Sequence, residues 1–224
     1  MKGLYLLFIS IYFFNCGSIK VTEMKVSTPK SGPKIGFASC LNQNKPMPIF
    51  KTIKAENFDL FLLMGDNVYG NSNSEDLKEL RVAYNKQKQN FDKLDFDFPI
   101  EAIWDDNDYG LGDGGKEYNL KEKSKELFLN FWDIPTNDPR RKRNGLYHEV
   151  LQNYNGKSIQ ILFLDTRTFR DNLKPTDDKG AVGKERYVPF PDTSLTMLGK
   201  EQWQWLVKKI SKPVNYRIIV SSIQ

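Results

Sequence analysis

The amino-acid sequence predicts an α/β layered fold in which strands alternate with helices along the chain. Short, nearly continuous apolar runs, typical of buried strands, are separated by segments whose apolar residues recur at helical spacing. The 224 residues include 15 Phe, 10 Tyr and 4 Trp, enough bulk for the core of one domain. With 39% hydrophobic and 27% charged residues, the composition excludes disordered and collagen-like chains.

The N-terminal residues are expected to be a targeting segment outside this domain. Lys2 precedes an apolar run that is shorter than the roughly 20 residues of a membrane-spanning helix, so residues 1–16 are predicted to be a secretory signal peptide. Cys16 with the small residues after it resembles a bacterial lipoprotein cleavage box; ordinary cleavage and an uncleaved anchor are the alternatives. The sequence thus predicts an exported protein of the cell envelope, held at a membrane by a lipid on Cys16, with residues 17–33 as a flexible linker.

The first part of the domain is predicted to contain three strands and two helices. They are, in order, a strand at 34–40, a crossover helix at 48–55, a strand at 58–64, a helix from Ser74 to about Gln89 and a strand at 99–104. The apolar run at 58–64 is nearly continuous, which is typical of a strand buried on both faces. Ser74 is a favourable N-cap, and the acidic residues after it suit the positive end of a helix.

The second part is predicted to form a helix, a hairpin, a second helix and a last strand. The helix covers 120–132, the hairpin arms are 146–154 and 158–165, the second helix starts at Gly199, and the strand covers 217–221. Asn155-Gly156 is the turn pair expected between the hairpin arms, because both residues tolerate positive φ. The helical spacing of Trp203, Leu206, Val207 and Ile210 predicts a core-facing side, and 217–221 reads as a buried strand. His148, on the first hairpin arm, is interpreted as a structural side chain.

Acidic and other metal-binding side chains follow several of the predicted strands. The segments at these strand ends are Ser39-Cys40, Gly65-Asp66 with Tyr69, Asp105-Asp106-Asn107 and Asp165-Thr166-Arg167. In α/β folds the carboxyl ends of parallel strands meet at one edge, and such an anionic cluster repels itself unless a cation binds. The single histidine excludes a three-His zinc site. Phenolate and thiolate favour ferric iron or zinc, whereas carboxylate and amide oxygens favour calcium or magnesium, so a mixed two-metal site is one reading. The other interpretation is that these segments are acidic turns that only cap the strand ends.

The one strongly basic stretch does not indicate a nucleic-acid partner. Residues 140–143 read Arg-Arg-Lys-Arg, a short run in a loop without interleaved aromatic side chains. Runs of this kind are usually solvated surface. No nucleic-acid partner is therefore expected.

Six sequence blocks, taken together, resemble the PhoD-like alkaline phosphatase family of metallophosphatases. The blocks are Phe-Ala-Ser-Cys-Leu-Asn at 37–42, Gly-Asp-Asn-Val-Tyr-Gly at 65–70, Trp-Asp-Asp-Asn-Asp-Tyr-Gly at 104–110, Asp-Thr-Arg-Thr-Phe-Arg-Asp at 165–171, Leu-Gly-Lys-Glu-Gln-Trp-Gln-Trp-Leu at 198–206 and Ile-Val-Ser-Ser-Ile-Gln at 219–224. They occur in the family's order and cover the chain from 34 to 224. The resemblance implies a metallophosphatase-type α/β/β/α sandwich.

The resemblance also implies roles for individual residues. Asp66 corresponds to a carboxylate that bridges two metal ions, Tyr69 to a phenolate on ferric iron, and Cys40 to a further metal ligand. Asp106 corresponds to the ligand of the second metal, commonly calcium, with zinc or magnesium as other options. Two such ions would polarise a phosphate ester and supply hydroxide for its hydrolysis. Asp165 and Arg167 match a motif that is interpreted as structural rather than catalytic.

Two departures from the family pattern predict weakened activity. The family has a histidine where this chain has Asn107, and an amide donates a hydrogen bond but does not transfer a proton, at a cost of roughly 10²- to 10⁴-fold in rate. The family also continues beyond Gln224 into a strand that ends in Gly-Asp-x-His and supplies further ligands, so the domain is expected to be truncated at its C-terminus. The sequence thus predicts an impaired metal-dependent phosphohydrolase; a non-catalytic remnant or a surface protein that binds metal or phosphate is the alternative.

Overall fold

A computed structural model describes residues 32–223, which form one compact unit. The predicted signal peptide, its Cys16 and residues 17–31 of the predicted linker lie outside the described residues. Within the described part of the chain, none of the helices is long and apolar enough to cross a membrane.

The first sheet contains three parallel strands in the order β1-β2-β3. These are β1 (Ile35–Ala38), β2 (Leu60–Met64) and β3 (Ile100–Ile103), with Ile35 opposite Leu60 and Phe61 opposite Ile100. The central strand β2 is buried along nearly its whole length, as its continuous apolar run predicts. Because all three strands run in the same direction, the segments that follow them meet at one edge of the sheet.

Two helices connect these strands. They are α1 (Ile49–Ala55) and α2 (Lys78–Leu94). An aromatic cluster joins the helices to the strands and the loops between them; its members are Phe50, Phe58, Phe61, Phe91, Phe96 and Phe98. The predicted helix from Ser74 to Gln89 was wrong at both ends. Leu77 has a left-handed backbone with φ 55°, so the helix starts only at Lys78, although the Ser74 hydroxyl still accepts a hydrogen bond from the Lys78 amide at 3.2 Å.

The second sheet has the order β4-β5-β6. Strands β4 (His148–Tyr154) and β5 (Lys157–Phe163) form the predicted antiparallel hairpin, and β6 (Tyr216–Val220) lies parallel to β5. The turn residues Asn155 and Gly156 have φ values of 50° and 78°, the left-handed conformation that this turn requires. Two further helices complete the elements that the site needs: α3 (Asp106–Tyr109), a single turn after β3, and α4 (Lys121–Phe131).

The two sheets share one core, which makes the fold an α/β/β/α sandwich. Ile159, Ile161 and Phe163 of β5 belong to the same buried cluster as the residues of β2 and β3. The alternate residues Leu162 and Leu164 belong to a second cluster. Leu198 and Leu206, from the loop before helix α5 (Gly199–Ile210) and from α5 itself, complete that cluster. The layered architecture predicted from the sequence is confirmed.

Two predictions about burial at this outer layer were wrong. On α5, Trp203, Val207 and Ile210 are exposed by 48%, 59% and 40%, and the buried positions are Gly199, Gln202 and Leu206. Helical spacing locates an apolar stripe but does not show that a partner covers it. Strand β6 is not a buried strand either, because Ile219 is 53% exposed at the edge of the second sheet.

Candidate metal centre

The loops after β1 and β2 bring Cys40 and Asp66 together. The Cys40 amide donates to the carbonyl of Gly65 at 3.2 Å, and the Leu41 amide donates to the carbonyl of Asp66 at 2.7 Å. Cys40 and Asp66 both have left-handed backbones, with φ values of 62° and 53°, which turn the chain sharply at the sheet edge. The Cys40 thiol lies 3.9 Å from a carboxylate oxygen of Asp66. Two of the four predicted ligands are therefore neighbours.

Tyr69 joins this pair because its backbone is fixed by a side chain from the preceding loop. The Gln43 amide donates to the carbonyl of Tyr69 and accepts from its N–H, both at 2.9 Å. Tyr69 and Cys40 line the same cavity, and Asp66 is close enough to act on the Tyr69 phenol. Burial and the negative charge of Asp66 raise the pKa of the Tyr69 phenol. Without a nearby cation, Tyr69 therefore carries its proton at neutral pH.

Helix α3 supplies the remaining predicted residues, Asp106 and Asn107. The Asn107 side-chain amide donates to Asp66 Oδ2 and to Asp106 Oδ1, each at 3.1 Å, and the Asn107 backbone N–H donates to Asp66 Oδ1 at 3.3 Å. The other oxygen of Asp106 accepts from the Asp113 N–H at 2.7 Å. Asn107 thus links the two carboxylates that the sequence predicts as metal ligands.

A fully buried carboxylate holds the α3 turn against the loop after β2. Asp108 accepts from the backbone N–H of Asn67 at 3.0 Å, from the Asn67 side-chain amide and from the Asp105 N–H at 2.6 Å. Burial raises the pKa of Asp108 well above its usual range. Gln87 of α2 adds support from below, donating to the carbonyls of Leu41 and Asn67 at 3.1 and 2.7 Å. The candidate site therefore lies on loops that the core fixes in place.

The electrostatics of this edge favour a cation. Asp66, Asp105 and Asp106 each place a carboxylate oxygen within 4.8 Å of the others. Burial raises the pKa of Asp66, and the negative charges of Asp106 and Asp105 add to the rise. Asp66 and Asp105 also line a cavity of about 150 Å³ together with Cys40 and Ser222. Carboxylate oxygens with a thiol and a phenol beside them are a chemically suitable ligand set for a multivalent cation.

Asp105 is the member of this cluster that the sequence did not predict as a site residue. The Asp105-Asp106 pair was visible after β3, but the sequence alone does not show which of two adjacent carboxylates faces the site. The structure brings together all of Cys40, Asp66, Tyr69, Asp106 and Asn107. Arg167, after β5, reaches the same edge from the second sheet by binding Asp105, whereas Asp165 bonds the Leu146 N–H in the loop before β4.

Comparison with known proteins agrees with the sequence blocks. A family model described as PhoD-like phosphatase matches residues 35–224. A solved structure, "Structure of PhoD", is similar with a TM-score of 0.62 and 20% identity; the match covers 84% of this chain and 41% of that one. At 20% identity, the structural likeness shows that the two chains share a fold. Comparison with curated proteins gives no significant match. The family match extends over most of the chain, and the chain belongs to the PhoD-like phosphatase family.

Proposed function

We propose that this chain carries metal-binding residues of a phosphohydrolase that cleaves phosphate monoesters or diesters. One observation carries the proposal: Cys40, Asp66, Tyr69 and Asp106 come from three separate strand ends and meet at one edge of the first sheet. Two of these side chains are carboxylates, and the other two, the Cys40 thiol and the Tyr69 phenol, bind as anions when a cation lies beside them. Membership of a phosphatase family supplies the substrate class, an ester of phosphate.

The proposed ligands divide between two cations. Asp66 is the proposed bridging ligand, because one of its carboxylate oxygens lies near Cys40 and both accept from Asn107, the neighbour of Asp106. Cys40 and Tyr69 suit ferric iron, or zinc, on one side, and Asp106 suits calcium, or magnesium, on the other. When bound, such cations polarise a phosphoryl oxygen and offset its negative charge. The chain's own contribution is to hold these donors in place before a substrate arrives.

Asn107 is the proposed substrate-facing residue, and it limits the rate. Its amide nitrogen already donates to the two candidate ligand carboxylates, and its oxygen accepts from the Asn71 side chain at 3.2 Å. The bonds to Asp66 and Asp106 use both N–H groups of the amide, so a phosphate oxygen would have to displace one carboxylate to receive a hydrogen bond, and an amide does not protonate a leaving alcohol. We infer a rate roughly 10²- to 10⁴-fold below that of a site with an imidazole there.

The same residue supports the second candidate function, a protein that binds metal or phosphate without hydrolysing an ester. Replacement of a proton donor by an amide preserves the anionic cluster, since Asp66 and Asp106 keep their contacts with Asn107. Binding and catalysis are therefore separable at this position. The two candidate functions predict different turnover but the same metal content.

The proposed location is the cell envelope. It rests on the apolar run at 3–14 and on Cys16, the proposed site of the lipid. Replacing Cys16 by serine is expected to move the protein from the membrane fraction to the soluble fraction. A protein that stays membrane-bound after Cys16→Ser contradicts the lipid anchor.

The test of the function compares the chain alone with a chimera in which residues 32–224 replace the matching part of the PhoD chain. Four ligands do not complete the coordination of two cations, so residues 17–224 alone are expected to hydrolyse p-nitrophenyl phosphate no faster than buffer. The chimera is expected to hydrolyse it in a reaction that EDTA and Asp66→Asn both abolish. Asp76→Asn, at an exposed carboxylate on the loop before α2, is the matched control.

Three other results would contradict or change the proposed function. Turnover by the chimera that resists EDTA or survives Asp66→Asn contradicts metal dependence. A chimera that binds cations but does not turn over favours the binding protein. Robust, EDTA-sensitive turnover by residues 17–224 alone shows that the four ligands suffice without further residues.

A further inference from the structure

Arg167 binds the one carboxylate of the acidic cluster that precedes α3. Arg167 follows β5 in the second sheet, and its side chain is 7% exposed. Its Nε donates to Asp105 Oδ1 at 2.7 Å, and a terminal nitrogen lies 2.7 Å from the same oxygen. The other terminal nitrogen reaches the carbonyl of Gly114 at 3.4 Å. A buried ion pair therefore joins the carboxyl end of β5 to the carboxyl end of β3.

The hydroxyl of Ser222, which follows β6, adds a third donor to this oxygen. Ser222 Oγ lies 2.8 Å from Asp105 Oδ1, and Thr166 Oγ1 lies 2.8 Å from Ser222 Oγ. A carboxylate oxygen has about two lone-pair sites, so three donors occupy Oδ1 fully. The oxygens of Asp66 and Asp106 receive fewer donors. Oδ1 of Asp105 is thus committed to the protein, whereas each oxygen of Asp66 and Asp106 keeps room for a cation.

The strand ends approach so closely here that one position requires glycine. Gly65, which precedes Asp66, has φ 106°, and a Cβ on it would lie 2.6 Å from the Cβ of Asp105 and 3.1 Å from that of Ser222. The ends of β2, β3, β5 and β6 therefore meet around Asp105. Any displacement of Asp105 moves the α3 turn, because Asp105 directly precedes Asp106 and Asn107.

We propose that Arg167 is a positioning residue that fixes the α3 turn, and with it Asp106 and Asn107, by holding Asp105 through its Oδ1 oxygen. The inference rests on the proposed metal site and assigns a role to the Asp-Thr-Arg motif after β5. With Oδ1 bound to Arg167, Asp105 acts in this proposal as a support of the site rather than as a ligand. Residues that orient metal ligands typically change metal affinity by about 10- to 100-fold when they are replaced.

The test measures Mn²⁺ affinity of the full chain by the electron paramagnetic resonance signal of free Mn²⁺, a cation that oxygen ligands bind. Arg167→Met and Asp105→Asn are each expected to weaken binding about 10- to 100-fold. The double variant is expected to be no weaker than either single variant, because both remove one interaction. Arg167→Lys is expected to restore part of the affinity. Arg81→Met is the control, since Arg81 lies on α2 and its Nε bonds the nearby Asp76 carbonyl, its one side-chain hydrogen bond among the described residues.

The direction in which Arg167→Met changes the Mn²⁺ affinity shows whether Asp105 positions the site or is itself a ligand. If Asp105 were a ligand, Asp105→Asn would weaken binding while Arg167→Met, which frees the carboxylate, would leave binding unchanged or tighten it. That pattern overturns the proposal. Unchanged affinity in both single variants also overturns it.

Hydrogen exchange in the cation-free protein makes the inference testable apart from the proposed function. The Tyr109 and Gly110 amides donate to the carbonyls of Asp105 and Asp106 at 2.9 and 3.0 Å. In Arg167→Met these amides are expected to exchange about tenfold faster, while amides of α2 keep their rates. If the wild type binds no Mn²⁺, the metal proposal fails and this readout alone decides the role of Arg167. Equal exchange at α3 in both proteins refutes the role.

Discussion

Replacing Asp165 by asparagine tests whether the motif after β5 is structural. Asp165 is fully buried, and its two oxygens accept four hydrogen bonds. Oδ1 accepts from the backbone N–H groups of Arg167 and Thr168, each at 3.0 Å. Oδ2 accepts from the Leu146 N–H at 2.8 Å and from the Thr168 hydroxyl at 2.6 Å. These contacts tie the end of β5 to the loop before β4.

The structure gives the expected size of the effect. In Asp165→Asn, an NH2 group replaces one carboxylate oxygen and must face the two donors that this oxygen bound. The position of Oδ2 is the better one, because the Thr168 hydroxyl there can turn and accept a hydrogen bond. The Leu146 N–H then stays buried without an acceptor, which costs about 1–3 kcal/mol. The remaining bonds lose the charge of their acceptor, and we expect a total loss of about 2–4 kcal/mol. For a domain of this size, that loss lowers Tm by about 4–16 °C.

Urea unfolding followed by circular dichroism measures this loss. The matched control is Asp177→Asn, because the Asp177 side chain is 83% exposed and, within residues 32–223, pairs with the exposed Lys184 alone. The control is expected to change stability by less than about 0.5 kcal/mol. If Asp165→Asn is as mild as the control, the reasoning is refuted. If it removes Mn²⁺ binding at unchanged stability, Asp165 belongs to the site itself.

Three further predictions concern the site and the single histidine. In the PhoD chimera, Asn107→His is expected to raise kcat about tenfold or more at unchanged metal content; equal activity makes Asn107 a neutral variant. The exposed Cys40 is expected to resist thiol reagents with cation bound and to react after chelation; equal reactivity argues against ligation. Burial lowers the pKa of His148, with the Arg140 charge adding to it and the hydrogen bond to Glu101 opposing it. The folded state therefore binds a proton less readily than the unfolded chain, and stability should fall below about pH 6.5 by at most about 1.4 kcal/mol per pH unit. His148→Gln should remove that part of the slope in urea unfolding, and an unchanged slope contradicts the assignment.

The proximity of the candidate site residues could be predicted from the sequence because strand ends are local signals. Each candidate ligand follows an apolar run, and parallel pairing brings the segments after Ala38, Met64 and Ile103 to one edge. The start of α2 was missed because the left-handed backbone of Leu77 is unusual for that residue type. Local sequence signals therefore predicted which residues lie at the site, but they did not predict that the helix starts only after Leu77, where the backbone conformation is unusual.

The contacts that fix the site were beyond prediction because they depend on how the two sheets pack. Arg167 and Asp105 are separated by 62 positions and belong to different sheets. Nothing in the spacing of Trp203 and Val207 showed that this side of α5 faces solvent rather than a partner. In both cases the deciding factor is which surface another element covers, and that is a property of the packed molecule.

The central claim is that a cation binds between Asp66 and Asp106, and locating the cation tests it most directly. Crystals of the chain grown with Mn²⁺ give an anomalous difference map that places the ion without assumptions about activity. We expect a peak at coordinating distance from carboxylate oxygens of both Asp66 and Asp106, with Asp105 still bound to Arg167. A peak on Asp105 with Arg167 displaced, or a protein that binds Mn²⁺ only elsewhere, would contradict it.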